Sequence, residues 1–150
     1  IPAWEKYQNV FFTQTKDWPN ERNLRVLSPS DFGFHNAIRT EKGLSFFDFE
    51  YAGWDGPIKL VCDFLCQPEI PIPVDCMADI AGRVGDLSGM GGDILDNVRD
   101  LMPIYRIKWV CIQLNEFLPG DRDRRAFALS GKDRRGAQLK KAIKYANTYL

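Results

Sequence analysis

Residues 28–54 read SPSDFGFHNAIRTEKGLSFFDFEYAGW, and this stretch decides the reading of the chain. Its centre is patterned as a hairpin. Ala37-Ile38-Arg39 forms one arm, Thr40-Glu41-Lys42-Gly43 the turn with Gly43 suited to positive φ, and Leu44-Ser45-Phe46-Phe47-Asp48 the other arm. A short turn returns the second arm to where the first began. Asn36, at the foot of the first arm, and Asp48, ending the second, are therefore expected to be neighbours at the open end. Asp31 lies in the loop that feeds that same end. Two carboxylates and an amide oxygen converge. Hard oxygen ligands of this kind suit Mg²⁺, which keeps several of its waters and binds through one or two carboxylates together with phosphates. The remaining carboxylate is free to orient a hydroxyl nucleophile.

Outward from the hairpin the pattern turns helical. Upstream, Leu24–Leu27 is a strand-like run broken by Ser28-Pro29-Ser30, residues 4–12 suit a short helix, and Pro19-Asn20 reads as a turn. Downstream, Asp55-Gly56-Pro57 has the form of a helix start with Asp55 as cap and Pro57 in the first turn, followed by Ile58, Val61, Cys62 and Leu65 at helical spacing. Further helices are expected over Val74–Val84, Asp93–Leu101, Pro103 to about Phe117, and Arg134–Tyr149. In the helix opened by Pro103, Ile104, Ile107, Val110, Cys111 and Leu114 form one stripe. In the last, Leu139, Ala142, Ile143 and Ala146 are expected to face inward. The fold class is α+β, mostly helical, in a single domain over residues 1–150.

Composition is that of a globular chain. Hydrophobic residues make up 45% and charged residues 27% of 150, and twenty basic side chains balance twenty acidic ones. A neutral chain gives no electrostatic reason to expect nucleic acid as a partner. No apolar run reaches the roughly 20 residues of a membrane span, and no basic-then-apolar leader is present, so a cytoplasmic location is expected. Cys62, Cys66, Cys76 and Cys111 lie in apolar surroundings and read as reduced, buried thiols. Cys62 and Cys66 could share a helix face, with His35 as the lone imidazole, but no C-x-x-C pair supports a zinc site. Gly89-Met90-Gly91-Gly92 lacks the spacing of a phosphate-cradling loop and reads as a connection. The cationic stretch 121–144 reads as a solvated face.

The order and spacing of the polar trio are those that phosphoryl transfer uses in kinases: an Asp for the substrate hydroxyl, an Asn five residues on, and an Asp after a following hairpin. The stretch resembles the aminoglycoside phosphotransferase and choline kinase group, whose fold is like that of protein kinases. Pro29-Ser30-Asp31-Phe32-Gly33-Phe34-His35-Asn36 aligns with that group's H-x-D-x-x-x-x-N loop, with Pro29 where the family has His. Phe47-Asp48-Phe49-Glu50-Tyr51-Ala52-Gly53-Trp54-Asp55-Gly56-Pro57 aligns with its second motif. The Asp31-Phe32-Gly33 tripeptide imitates a kinase metal motif, but the hairpin follows it and Asn36 has the catalytic-loop offset, so Asp48 takes the metal-binding place. The resemblance implies Asp31 as catalytic base, Asn36 and Asp48 as Mg²⁺ ligands, and Glu50 and Asp55 in support. His35, standing where many members have a small residue, is a candidate for bracing the loop or facing substrate. It also implies ATP as phosphoryl donor and a small-molecule hydroxyl, on an aminoglycoside-like sugar, an amino alcohol or another metabolite, as acceptor. The other reading of the same residues is a kinase-like module kept for binding without catalysis. The thirty residues before Asp31 hold no glycine-rich loop and no strand lysine, and the chain opens on Ile1. An ATP-covering amino-terminal lobe is therefore expected outside this chain, and the chain alone is expected to bind ATP weakly and to show no useful kinase turnover.

Overall fold

A computed structural model of the chain describes residues 2, 4–8, 24–118 and 134–150. Residues 4–8 are helical. The rest of the expected 4–12 helix, the Pro19-Asn20 turn and most of the cationic stretch lie outside the described residues. The architecture is α+β and mostly helical. Four short strands, β1 (Val26–Ser28), β2 (Ala37–Thr40), β3 (Gly43–Phe46) and β4 (Gly53–Asp55), precede α1 (Pro57–Cys66), α2 (Met77–Ser88), α3 (Ile94–Gln113) and α4 (Arg135–Tyr149).

The strands make two antiparallel pairs, β1 with β4 and β2 with β3. The β2–β3 hairpin turns where the sequence puts it, with Gly43 at φ 120°, a conformation costly for any residue with a Cβ. Its second arm is shorter than expected. β3 stops at Phe46, and Asp48 stands beyond the strand at φ 64°. The β1–β4 pair is not apparent from the sequence pattern. Leu27 faces Trp54 across it, and both are about two-thirds exposed, at 66% and 65%.

α1 is the hub of the helical body. Eight of its ten residues are buried, and it packs against α2 and α3. A helix apolar nearly all round belongs inside a domain. The core joins Ile58, Val61, Cys62, Leu65 and Cys66 of α1 to Ala81 of α2, to Ile94, Val98, Leu101, Met102 and Trp109 of α3, and to Tyr145 of α4. The cap of α1 differs from expectation. Gly56 holds the N-cap position with Pro57 at the helix start, and Asp55 belongs to β4. Proline without an amide hydrogen suits that first turn. α1 ends at Gln67, which precedes Pro68 and has the extended ψ that a following proline enforces. The buried Gln67 side chain closes the next turn, accepting the amides of Glu69 (2.9 Å) and Ile70 (3.3 Å) and donating to the Ile70 carbonyl.

Two helices expected on either side of Pro103 are one, since α3 runs through it. Proline removes the amide that would bond the Arg99 carbonyl and crowds it. Arg99 is exposed, and burial on both sides of the break, through Val98, Leu101, Met102 and Trp109, holds the helix continuous. α2 begins at Met77 after a 3₁₀ turn over Val74–Cys76, and Gly89–Gly92 is a connection into α3, as expected. α4 buries Ala142 and Tyr145, whereas Leu139 and Ile143 are exposed at 42% and 51%, contrary to the inward face expected for them. The Tyr145 hydroxyl donates to the Cys66 carbonyl, and the Arg106 guanidinium both donates to the Tyr149 carbonyl (3.2 Å) and stacks over the Tyr149 ring at 4.9 Å. These polar anchors select the Tyr145–Tyr149 side of α4 over the Leu139–Ile143 side.

All four cysteines are free. Cys62 and Cys66 are buried, but Cys76 and Cys111 are exposed, which corrects the expectation of four buried thiols. Burial pushes the Cys66 thiol up to about 12 and the Cys62 thiol well above its usual value. A thiol must ionise to react. Treatment of the native protein with a thiol reagent near pH 8 should therefore modify Cys76 and Cys111 readily and leave Cys62 and Cys66 untouched until the protein is denatured. Peptide mass mapping of the labelled sites checks this.

Candidate functional site: the loop before the hairpin

The loop from Pro29 to Asn36 is fixed by its own backbone before any ligand is considered. Ser30 has φ 66°, and the Asp31 amide donates to the Pro29 carbonyl at 2.9 Å. That is a three-residue turn of positive φ, a rare and strained form. Three contacts hold it. The Ser30 amide donates to the hydroxyl of fully buried Ser28 (3.1 Å). The Ser30 hydroxyl donates to Asp55 Oδ2 (3.2 Å), and Lys59 Nζ grips the same oxygen at 2.6 Å. Asp55 thus supports the loop, though from β4 and through Ser30 rather than by capping α1.

The next residues are clamped by rings. Phe32 stacks on Phe64 of α1 (4.6 Å between centroids) and tilts against Phe46 of β3 (5.2 Å). Phe34 meets Phe64 edge-on at 5.4 Å. Each such pair contributes about 0.5–1.5 kcal/mol beyond buried area. Between the two rings lies Gly33, where a Cβ would stand 2.6 Å from His35 Nδ1 and 2.9 Å from Gln67 Cγ. Glycine is required there by close approach; its φ of 179° is ordinary extended backbone.

The loop then delivers its polar groups. Asn36, 8% exposed, donates its Nδ2 to the Asp31 carbonyl at 3.0 Å, while its own carbonyl accepts the Phe47 amide at 3.0 Å. The first bond ties Asn36 to Asp31. It also occupies the amide nitrogen, so Oδ1 is left as an acceptor. The second continues the hairpin ladder past Ala37–Phe46 and sets Asp48 one residue beyond the Asn36–Phe47 pairing. Asp31, Asn36 and Asp48 thus share the open end of the hairpin. Asp48 is exposed, and its φ of 64° is the other positive value found among the described non-glycine residues. Both strained positions, Ser30 and Asp48, fall at the candidate carboxylates. Strain of about 1–3 kcal/mol per residue is characteristically kept where function needs it.

His35 lies beside Asp31, with Nε2 3.3 Å from Oδ1, and its ring is packed against Gly33. The Asp31 side chain is 41% exposed, yet Oδ1 is buried, so the accessible carboxylate oxygen is Oδ2. His35 therefore stands behind the carboxylate without hydrogen-bonding it, and Oδ2 is left to a reacting group. Glu50 is exposed at the turn closed by the Ala52 amide and the Phe49 carbonyl, and the structure does not join it to the other site residues.

Sequence reasoning missed a charged layer beneath the loop. Asp63, on α1 and 1% exposed, pairs with Lys59 (3.1 Å to Oδ2) and with Lys108 of α3. Desolvation pulls the Lys59 ammonium down, but its hydrogen bond to Asp55 and the charge of Asp63 outweigh this and leave it above the ordinary lysine value. The chain Ser30–Asp55–Lys59–Asp63–Lys108 connects the strained turn to the helical core. An isolated Asp in the apolar run Leu60–Cys66 is its one trace in the sequence.

Among the described residues, no three His, Cys, Asp or Glu side chains cluster as a metal cage, and no helix is long and apolar enough to cross a membrane. Two carboxylates and one amide oxygen are the ligand types that suit a cation keeping most of its waters, which is the habit of Mg²⁺. No family model, curated protein or solved structure matches this chain.

Proposed function

We propose that this chain provides the catalytic face of an ATP-dependent phosphotransferase acting on a hydroxyl of a small molecule, as the carboxy-terminal lobe of a protein-kinase-like fold. The observation that carries the reading is the coincidence of strain with chemistry: Ser30 and Asp48, at φ 66° and 64°, bracket a site in which Asn36 is bonded to Asp31. Magnesium-bound ATP would supply the phosphoryl group. Asn36, through Oδ1, and Asp48 would hold the metal. Asp31 Oδ2 would orient the acceptor hydroxyl and take its proton, with the Asn36 bond to the Asp31 backbone carbonyl fixing the loop and His35 standing behind the carboxylate. Positioning and charge neutralisation are what this reaction asks of a protein. Ile38, Leu44, Phe47 and Phe49 are exposed around the hairpin, and an apolar surface beside the metal site suits a nucleobase and a covering lobe.

Titration of the chain with ADP, with and without Mg²⁺, tests the reading. Nucleotide binding should be weak and metal-dependent. Asp48→Ala should abolish the metal-dependent part, since a carboxylate in the metal's shell is lost. Undiminished metal dependence in Asp48→Ala would remove the assignment.

A further inference from the structure

A cleft of about 220 Å³ opens beside Asp31 and His35, walled by Trp109 and Gln113 in the last turns of α3, by Glu116 in the 3₁₀ turn Asn115–Phe117 and by Gln138 of α4. It is smaller than the roughly 300–1,000 Å³ of pockets for drug-sized ligands, and has room for a single small ring. Two of its lining side chains, Gln113 and Trp109, carry unpaired polar atoms. Gln113 is 8% exposed, yet neither Nε2 nor Oε1 has a hydrogen-bond partner among the described residues, and the same holds for Trp109 Nε1. Buried polar groups are nearly always paired, so an amide unpaired at both ends calls for a ligand. Trp109 and Gln113 are four residues apart on one helix and therefore share a face.

We infer that Gln113 and Trp109 select a neutral, polyhydroxylated ring, a sugar or cyclitol, as the acceptor. The chemistry of the lining decides the class. A hydroxyl both donates and accepts, so it satisfies Oε1 and Nε2 of Gln113 together, and a second hydroxyl or ring oxygen accepts from the indole. An anion would face the carboxylates of Asp31 and Glu116. The trimethylammonium group of choline has no hydrogen to give Oε1 and nothing to offer the two N–H donors, and its single hydroxyl, if it serves Gln113, leaves the indole unpaired. Asp31 Oδ2 lies at the same cleft, where it meets a hydroxyl of the bound ring. The reaction of the bound ring rests on the phosphotransferase reading; its binding does not.

Saturation-transfer NMR on the whole 150-residue chain tests the inference, with D-glucose, N-acetyl-D-glucosamine and myo-inositol as neutral probes and choline and inorganic phosphate as charged ones. At least one neutral polyol should receive saturation, and choline and phosphate should not. Gln113→Met, close in shape and apolar, should weaken polyol binding about tenfold or more. The same variant should melt at the wild-type temperature or above, because it removes an unpaired buried amide; a purely structural glutamine would make it melt lower. Binding of choline or phosphate in preference, polyol binding that survives in Gln113→Met, a lowered melting temperature of that variant, or no polyol signal at all would overturn the proposal. None of these outcomes depends on magnesium or nucleotide, so failure here is distinct from failure of the metal site.

Discussion

In the protein carrying the proposed ATP-covering lobe, Asp31→Asn should lower phosphoryl transfer by about 10²–10⁴-fold while leaving magnesium-dependent nucleotide binding close to wild type. The range is that of a positioned general base. The substitution keeps the size of the side chain, and the Asn36 Nδ2 bond goes to the Asp31 backbone carbonyl rather than to the carboxylate, so the loop should hold its shape. What is lost is the exposed Oδ2, the one carboxylate oxygen not turned toward His35. Asparagine Oδ1 can still accept a hydrogen bond, but it cannot take a proton. Turnover and nucleotide affinity measured side by side separate this role from a structural one. Wild-type turnover in Asp31→Asn would remove Asp31 as the base, and a parallel loss of nucleotide affinity would place it among the metal ligands.

Asp63→Ala should destabilise the helical body by about 3 kcal/mol. Breaking a buried ion pair generally costs about 3–5 kcal/mol. The lower end applies because Lys59 and Lys108, at 33% and 37% side-chain exposure, can turn toward water once Asp63 is gone. For a domain of this size that corresponds to a fall in melting temperature of about 6–12 °C. Because Lys59 also grips Asp55, which receives the Ser30 hydroxyl, the strained turn before Asp31 should loosen as well. Thermal melts measure the first effect, and amide hydrogen exchange at Asp31 measures the second. A melting temperature within about 2 °C of wild type would mean that the layer contributes nothing net to stability.

The local parts of this structure are legible in the sequence. The hairpin, its Gly43 turn and the approach of Asn36 to the second arm follow from alternation and turn chemistry within a dozen residues. The features that escape are decided by distant partners. Pro103 argues for a helix boundary on local grounds, and burial on both flanks overrules it. Leu139 and Ile143 have the spacing of a buried stripe, but the bonds of Tyr145 and of Arg106 to Tyr149 turn α4 another way. Asp55 has the sequence position of a helix cap, and is drawn into β4 by pairing with Val26, far back in the chain. Asp63 escapes because a single polar residue in an apolar helix says that a partner is needed, and only the packing of α1 against α3 tells which. Gln113, at the end of a helix with many polar residues, is marked only by its burial. Asp31, Asn36 and Asp48 stand out in the sequence because their proposed roles depend on separation along the chain. The strain at Ser30 and Asp48 has no signature in composition, since neither is glycine.

The central claim is that Asn36 and Asp48 hold a divalent metal beside Asp31. Paramagnetic broadening of assigned backbone amides by Mn²⁺, used as a stand-in for Mg²⁺, tests it most directly. The account predicts broadening strongest around Asp31, Asn36 and Asp48, reversed by excess Mg²⁺ and absent from those positions in Asp48→Ala. Broadening centred on other exposed carboxylates, such as Asp75 and Asp79 near the start of α2, with the hairpin end unaffected, would contradict it.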